Sequence, residues 1–312
     1  MNFPVGLLTQ SIFLAGPTAS GKSAVSLILA ERLNAEIVSL DSMTVYRGMD
    51  IGTAKPAREE RERVPHHLID IADPHVDFSV AEFLRMASMA VEDIVHRGRV
   101  PLFVGGTGLY LRSILRGMSE GPEANWEIRS QWEHQAREHG PEWLHGQLQK
   151  VDPVTAARLH PNDMRRIIRA IEVFELTGNP ISSGHQHGQR LPEHAARLVV
   201  WLDPDREWLR KRIGDRVDEM MRQGWLEETR LLLQRTPKPG RTAGQALGYR
   251  ELSGHLDGEM TLEAAVEQIR TATRQFAKRQ YTWFRNLQEC TAVTVAGHET
   301  PEELANRVLG LL

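Results

Sequence analysis

The sequence contains one cysteine, Cys290, in 312 residues. One thiol cannot form an internal disulfide, and it cannot build a cysteine-based zinc site. The first residues lack a basic segment followed by an apolar core, so no secretion signal is predicted. No apolar run approaches the ~20 residues that span a bilayer. Together these features predict a cytoplasmic protein with no membrane partner.

The chain also lacks an excess of positive charge, internal repeats and low-complexity segments. Its formal net charge is −3, so any nucleic-acid surface must be a local basic patch. Hydrophobic residues at 41% and charged residues at 25% are ordinary for a soluble globular protein. The length allows one large domain or two modest ones.

A glycine loop near the N-terminus matches the pattern G-x-x-x-x-G-K-S. It follows the apolar run 12–15 and precedes the helix-like segment 24–30, which is the strand–loop–helix context of a phosphate-binding loop. Its backbone N–H groups and the lysine are predicted to bind diphosphate or nucleotide, and the Ser23 hydroxyl to ligate Mg²⁺. The predicted phosphate-binding residues are Gly16, Pro17, Thr18, Ala19, Ser20, Gly21, Lys22 and Ser23.

Strand-like and helix-like segments alternate along much of the chain. The segments 36–40, 100–104 and 198–202 are predicted as strands, and 78–96 is predicted as an amphipathic helix. Such alternation is typical of an α/β fold with a mostly parallel sheet and flanking helices, here of the P-loop NTPase-like type.

The composition changes in the middle of the chain, where tryptophans appear among charged residues and strand-like runs are missing. We predict a helical insertion domain over 120–190. The P-loop α/β core domain would then comprise 1–119 and 191–312, with basic helices near its C-terminus.

Two further candidate groups follow predicted strands. Because ligands gather at the carboxyl ends of parallel strands, Asp41 and the turn 105–108 are expected beside the glycine loop. Asp41 could organise Mg²⁺, act as a general base, or only accept a structural hydrogen bond. Thr107 could bond a ligand, or its turn could be purely structural. No aspartate follows Val104, which weakens the interpretation as a plain NTPase.

Basic helices form the last class of candidates. The arginines of 206–216 could clamp phosphate as a lid, or face solvent. Arg165 and Arg169 share one face of a second helix. A third, near the C-terminus, predicts either a stripe for a nucleic-acid backbone or a surface helix. One sector of it holds Arg270, Arg274, Lys278, Tyr281 and Arg285, and the opposite side holds Phe276, Trp283 and Leu287.

Several blocks, in order, resemble the tRNA dimethylallyltransferases, also called tRNA isopentenyltransferases. The P-loop is shared with many enzymes, whereas the blocks 41–56 and 278–285 are much more specific. The resemblance extends from about residue 12 to residue 286. The matching pieces are 16–23, Asp41-Ser42-Met43, 45–56, 65–70, Gly105-Gly106-Thr107-Gly108-Leu109-Tyr110, Gly248-Tyr249-Arg250 and Lys278-Arg279-Gln280-Tyr281-Thr282-Trp283-Phe284-Arg285.

This resemblance implies transfer of a dimethylallyl group from dimethylallyl diphosphate to N6 of the adenosine at tRNA position 37, 3′ to the anticodon. The products would be N6-isopentenyladenosine and diphosphate, and the cofactor Mg²⁺. Asp41 would be the general base, Thr107 would hold the amine, and Arg216 would join the diphosphate clamp.

The resemblance also implies a tRNA surface, with the insertion domain gripping the anticodon stem-loop. The partners would be tRNA and dimethylallyl diphosphate, with no membrane, and the chain is predicted to be a monomer. Two alternatives remain: a small-molecule or nucleotide kinase, and a nucleotide-switched RNA-binding module without catalysis. The implied tRNA contacts are Asp41, Ser42, Met43, Thr44, Thr107, Arg129, Arg165, Arg166, Ile167, Ile168, Arg169, Gly248, Tyr249, Arg250, Lys278, Arg279, Gln280, Trp283 and Arg285.

Overall fold

The computed structural model describes residues 2–118, 121–184 and 195–312. The chain divides into two compact units. The sheet unit comprises Asn2–Leu115 and Arg190–Leu312, and the helical unit comprises Arg116–Gln189. The predicted domain boundaries at 119/120 and 190/191 lie outside the described residues, so they stay predictions.

The secondary structure alternates as expected for an α/β chain. The strands are β1 Ile12–Ala15, β2 Ala35–Leu40, β3 His66–His67, β4 Val100–Gly105, β5 Leu198–Pro204 and β6 Thr291–Val295. The helices are α1 Val5–Leu8, α2 Lys22–Leu33, α3 Arg58–Arg63, α4 Val80–His96, α5 Gly108–Arg116, α6 Trp126–His139, α7 Pro141–Val151, α8 Pro153–Ala156, α9 Met164–Thr177, α10 Arg206–Arg222, α11 Trp225–Leu233, α12 Arg241–Gly244, α13 Tyr249–Leu256, α14 Leu262–Arg285 and α15 Pro301–Leu309.

The described strands form one sheet in the order β3-β2-β4-β1-β5-β6, and all their pairings are parallel. The predicted α/β class is therefore confirmed. Helix α4 begins two residues later than expected because Ser79 caps it, accepting the Glu82 N–H at 3.1 Å. Strands β3 and β6 were not predicted, since β3 has two residues and β6 is largely exposed.

The central strands are buried on both faces, which explains their continuous apolar sequences. Ile12 and Leu14 of β1 are fully buried and pack in one cluster with Leu29 of α2 and Val308 of α15. Burial of such side chains contributes roughly 1.5–3 kcal/mol each. This core fixes the three strand ends that carry the site.

The register brings those ends to one level. Gly105 of β4 is paired with Ala15 of β1 on one side and with Leu40 of β2 on the other. The next residues along each strand are Gly16, Asp41 and Gly106. The expected convergence of the three candidate groups is thus built into the strand order.

The helical unit has its own apolar core between α6, α7 and α9. Leu144 and Leu148 of α7 are fully buried against Ile167 and Ile171 of α9. Beside them lies Glu172, a fully buried carboxylate of the same helix. Isolated buried charges are costly, so the partners of Glu172 matter.

Candidate active site

The glycine loop leads directly from β1 into α2 and presents unpaired backbone donors. Gly21, the residue before the helix, has φ +90°, a left-handed conformation that favours glycine. Val25 donates its N–H to the Gly21 carbonyl at 3.3 Å. The N–H groups of Lys22, Ser23 and Ala24 precede that bond at the helix N-terminus, where anions bind.

Side chains from distant parts of the chain hold this loop in shape. Gln280 Oε1 accepts the Thr18 N–H at 2.8 Å, and Arg212 Nε donates to the Ala19 carbonyl at 3.1 Å. Ala19 itself has φ +64°, which is unfavourable for an L-residue and is found where the surroundings impose it. Sequence reasoning missed both bracing contacts.

The loop retains hydrogen-bonding capacity that the described residues do not use. The Ser20 hydroxyl is buried and has no partner within the parts of the chain that the structure describes. Buried polar groups are normally paired, so the Ser20 hydroxyl is suited to donate to a phosphate oxygen bound in the loop.

Two cations and one anion meet at this site. Lys22 Nζ donates to the Pro17 carbonyl at 3.0 Å. Burial and, to a lesser degree, the nearby Arg216 charge lower the pKa of Lys22, Asp41 opposes both, and the net result is a pKa of about 8. Burial also lowers the pKa of the Arg216 guanidinium, against the attraction of Asp41. An anionic ligand would relieve this repulsion between the two cations.

Asp41 and Thr107 are connected through the backbone of the adjoining residue. Asp41 Oδ1 accepts the Met43 N–H at 2.8 Å and the Thr44 N–H at 3.4 Å. Thr107 Oγ1 accepts the Ser42 N–H at 3.1 Å, which leaves its own proton free to be donated. Within the described residues nothing bonds Asp41 Oδ2, so one carboxylate oxygen anchors the turn and the other stays available.

The chain segment 50–52, which follows Asp41, is held by the half-buried carboxylate of Glu228. Glu228 of α11 accepts the N–H groups of Asp50, Ile51 and Gly52 at 2.8, 2.8 and 3.1 Å. It also accepts the Tyr249 hydroxyl at 2.6 Å. Glu228 therefore fixes the backbone of 50–52, within the block 41–56, against α11 and α13.

A cleft of about 730 Å³ opens beside the loop. Ser23, Arg212 and Arg216 line one side of it, and residues of 50–61 line the other. No trio of His, Cys, Asp or Glu that could hold a metal occurs in the described parts of the chain. The exposed Ser23 hydroxyl fits Mg²⁺, which commonly takes one or two protein oxygens and completes its shell with phosphate and water.

In the helical unit, the predicted tRNA contacts fall into three groups. Arg165 and Arg166 are exposed at the start of α9, and Arg166 pairs with Asp163 at 3.2 Å. Ile167 and Ile168 are buried in the core of the unit, and their contact with tRNA stays a prediction.

The last group, Arg129 and Arg169, pairs with Glu172. Arg129 makes two bonds to its carboxylate, both 2.9 Å, and Arg169 adds one at 2.6 Å. The Asn125 N–H donates to it as well, at 2.6 Å. Burial alone would raise the pKa of Glu172, but these hydrogen bonds outweigh it and hold the pKa below its usual value.

Three residues of the sheet unit that are predicted to contact tRNA are buried, and their contact with tRNA stays a prediction. The Thr44 hydroxyl is buried and lies 2.8 Å from Ser39 Oγ. Tyr249 is buried in an apolar cluster, and the buried Gly248 donates its N–H to Glu251 at 2.7 Å. Arg250 is exposed and pairs with Glu251, while Ser42 and Met43 remain half-buried at the site.

Helix α14 differs from its predicted pattern. In its C-terminal half the buried residues are Ala277, Gln280 and Phe284. The sequence pattern instead places Phe276, Trp283 and Leu287 together on the side opposite the cations. The Trp283 ring packs directly on Gly108, where a β-carbon would lie 2.8 Å from the ring. Gln280 and Trp283 are therefore turned towards the protein.

The rest of the predicted basic stripe is divided between paired and exposed cations. Arg270 pairs with Asp218 and Glu267, and Arg274 pairs with Glu267 at 3.0 Å. The exposed side chains are those of Lys278, Arg279 and Arg285. Tyr281 stacks edge-on against Trp201, with ring centroids 5.1 Å apart, and Arg206 lies over its ring.

A glycine loop after β1, a carboxylate after β2 and a hydroxyl after β4 define an α/β protein of the P-loop class. The family model described as IPP transferase matches residues 44–287, and that described as isopentenyl transferase matches residues 10–74. The matches together cover most of the sheet unit and all of the helical unit.

Individual relatives agree with the family models. A tRNA dimethylallyltransferase of Geobacter metallireducens is 50% identical, over 93% of this chain and 94% of its own length. One of Symbiobacterium thermophilum is 48% identical, over 96% and 94%. The chain belongs to the tRNA dimethylallyltransferase family, and this membership favours prenyl transfer over the kinase and RNA-switch alternatives.

Solved structures show the same similarity. A full-length tRNA isopentenylpyrophosphate transferase from Bacillus halodurans has a TM-score of 0.70 at 40% identity, covering 97% of this chain and 96% of its own. A eukaryotic dimethylallyltransferase acting on tRNA has a TM-score of 0.78 at 29% identity, covering 95% and 76%. Among the helices in the described ranges, none combines the length and apolarity required to cross a bilayer.

Proposed function

We propose that this protein transfers the dimethylallyl group of dimethylallyl diphosphate to N6 of the adenosine on the 3′ side of the tRNA anticodon. The products are N6-isopentenyladenosine and diphosphate. The observation that carries the proposal is the meeting of three groups at adjacent strand ends: the glycine loop, the Asp41 carboxylate and the Thr107 hydroxyl.

The glycine loop would hold the leaving group. As the allylic C–O bond breaks, negative charge develops on the diphosphate, and fixed donors aimed at that charge lower the barrier. The N–H groups at the start of α2, Lys22 and Arg216 supply such donors and charges. The unpaired Ser20 hydroxyl is a further donor inside the same loop.

Asp41 and Thr107 would handle the acceptor. The exocyclic amine must lose a proton as the new N–C bond forms, and the unbonded Oδ2 of Asp41 can take it. The Thr107 hydroxyl can donate to the base because it already accepts from Ser42. Exclusion of water matters here, since an allylic cation would otherwise be hydrolysed. The target base must leave the loop stack to reach the site.

Mg²⁺ would be held at Ser23 and, when bound, would neutralise charge on the diphosphate. We further propose that residues 120–190 form an insertion domain that binds the anticodon stem-loop through Arg165 and Arg166. The exposed Lys278, Arg279 and Arg285 would bind the RNA backbone. Such an enzyme needs one active site per chain and tRNA as substrate, so we propose a cytoplasmic monomer.

The test is transfer of radiolabelled dimethylallyl diphosphate to unmodified tRNA, followed by nucleoside analysis. We expect labelled N6-isopentenyladenosine, and no label on a matched tRNA that carries guanosine at the target position. A parallel reaction with labelled ATP tests the kinase alternative. Absence of the prenylated nucleoside, or phosphate transfer to an acceptor, would refute the proposal.

A further inference from the structure

Gln280 connects two loops of the site with one side chain. Its Oε1 accepts the Thr18 N–H at 2.8 Å, and its Nε2 donates to the Gly106 carbonyl at 2.9 Å. The side chain is 4% exposed, so both bonds lie away from bulk water. An amide can accept and donate at once, and this position uses both capacities.

The two loops that Gln280 connects have different tasks in the proposed reaction. Thr18 lies in the glycine loop, which would bind the diphosphate, and Gly106 directly precedes Thr107, which would hold the acceptor base. A β-carbon at Gly106 would lie 2.1 Å from Gln280 Nε2. Glycine is therefore required there for the amide to approach the backbone.

The helix that carries Gln280 is itself anchored on both sides of this residue. Ala277, one turn earlier, packs in a cluster with Ala19 of the glycine loop and Ile213 of α10. One turn later Phe284 is fully buried, and Trp283 lies on Gly108. The amide is thus held at a fixed position rather than at the end of a mobile side chain.

We propose that Gln280 is a positioning residue that sets the distance between the diphosphate loop and the acceptor turn. This inference rests on the proposed function, because it assigns the two loops to donor and acceptor. It replaces the expectation that Gln280 contacts tRNA, since the buried amide is already bonded at both ends.

The proposal requires that the Gln280 side chain both accept and donate a hydrogen bond, and two substitutions test this requirement. Gln280→Glu keeps the size and an acceptor for the Thr18 N–H, but it loses the donor to Gly106 and adds negative charge near the diphosphate. Gln280→Met keeps the approximate volume and removes both bonds. The matched controls are Gln275→Glu and Gln275→Met, because Gln275 is exposed on the same helix.

The first measurement is binding of inorganic diphosphate with Mg²⁺, by calorimetry and without tRNA. We expect the dissociation constant to rise about tenfold or more in Gln280→Glu and severalfold in Gln280→Met, with the Gln275 variants unchanged. The second is steady-state kinetics, where kcat should fall about ten- to hundredfold while the tRNA dissociation constant stays within about twofold.

A double-mutant cycle separates positioning from general structural support. If Gln280 acts through the acceptor turn, Gln280→Met and Thr107→Val should lower kcat by less together than the product of their single effects. Unchanged diphosphate binding and kcat in both Gln280 variants would overturn the inference, as would a tenfold loss of tRNA affinity with intact donor binding. An inactive wild-type protein that still binds diphosphate would instead reject the proposed function. Should Gln280→Met not fold, the isosteric Gln280→Glu carries the test.

Discussion

Two clusters of charge in this protein differ in how completely their members are bonded. In the helical unit, both oxygens of the buried Glu172 receive bonds from Arg129, Arg169 and a backbone N–H. At the strand ends of the sheet unit, Asp41 uses only one oxygen, and burial lowers the pKa of Lys22 beside another cation. A charge cluster whose hydrogen-bonding groups are all paired stabilises the fold. A cluster that keeps unpaired hydrogen-bonding groups can bind a ligand.

The largest effect on activity is expected from a substitution of Asp41, in the cluster at the strand ends. Asp41→Asn keeps an oxygen for the Met43 N–H and removes the proton acceptor, so kcat should fall about 10²–10⁴-fold. The tRNA dissociation constant and the unfolding midpoint should stay close to wild type, because the turn is retained. Single-turnover kinetics measure the first quantity, and filter binding and thermal unfolding the others. Asp93→Asn, on the surface of α4, is the control. A kcat within about threefold of wild type would remove Asp41 as the base.

A substitution in the fully bonded cluster around Glu172 should instead lower the free energy of unfolding. Glu172→Gln leaves two guanidinium groups without their counter-charge, and we expect a loss of about 3 kcal/mol in the unfolding free energy of the helical unit. The pKa of Glu172 is held below its ordinary value of 4.5, so its contribution is complete above that pH and is lost as pH falls through the folded-state value. Urea unfolding across pH 3–7 should therefore show the two proteins converging at acid pH. Equal stability at pH 7 would contradict the comparison.

Helix α14 also carries both an unpaired and a paired cation on its surface. Lys278 is exposed and its ammonium has no partner within the described residues, whereas Arg274 is bound to Glu267. We expect Lys278→Ala to weaken tRNA binding a few fold and to lower the salt slope by about one, and Arg274→Ala to do less. Binding measured over a range of KCl concentrations checks both. Equal effects would show that internal pairing does not decide which cations bind RNA.

The smallest expected effect concerns protons. Diphosphate next to Lys22 should raise its pKa from about 8, because an anion favours the charged amine. At pH 8 the free protein holds this lysine about half protonated, so binding should take up about half a proton. Calorimetry in two buffers of different ionisation enthalpy measures the uptake, and Lys22→Arg should abolish it. Uptake that persists in that variant would assign the proton to another group.

Local patterns predicted much of this site because its main parts are contiguous in sequence. The glycine loop needs only the strand before it and the helix after it, and parallel strands bring Asp41 and Thr107 to the same edge. The alternation of elements predicts the shared edge, whereas the strand order that makes the three groups neighbours is visible only in the structure.

The sequence pattern did not show which charged side chains pair with one another. Charge periodicity identified the faces of α9 and α14, but it could not show that Arg169 and Arg274 bond to acids of the protein. Ile167 and Ile168 were included with their arginine neighbours, although their apolar character is typical of core positions. Gln280 did leave a signal: it is a polar residue spaced three and four positions from Ala277 and Phe284, on a face that is otherwise apolar.

The contact between Thr18 and Gln280 joins residues 262 positions apart. During synthesis the ribosome therefore produces the phosphate loop 262 residues before the Gln280 side chain that braces it. A nascent chain that has completed β1 to β5 already contains the glycine loop, Asp41 and Thr107, but it lacks the Gln280 amide that bonds to Thr18 and Gly106. Catalytic competence should consequently appear abruptly, once α14 has emerged and packed, rather than grow in proportion to the sheet.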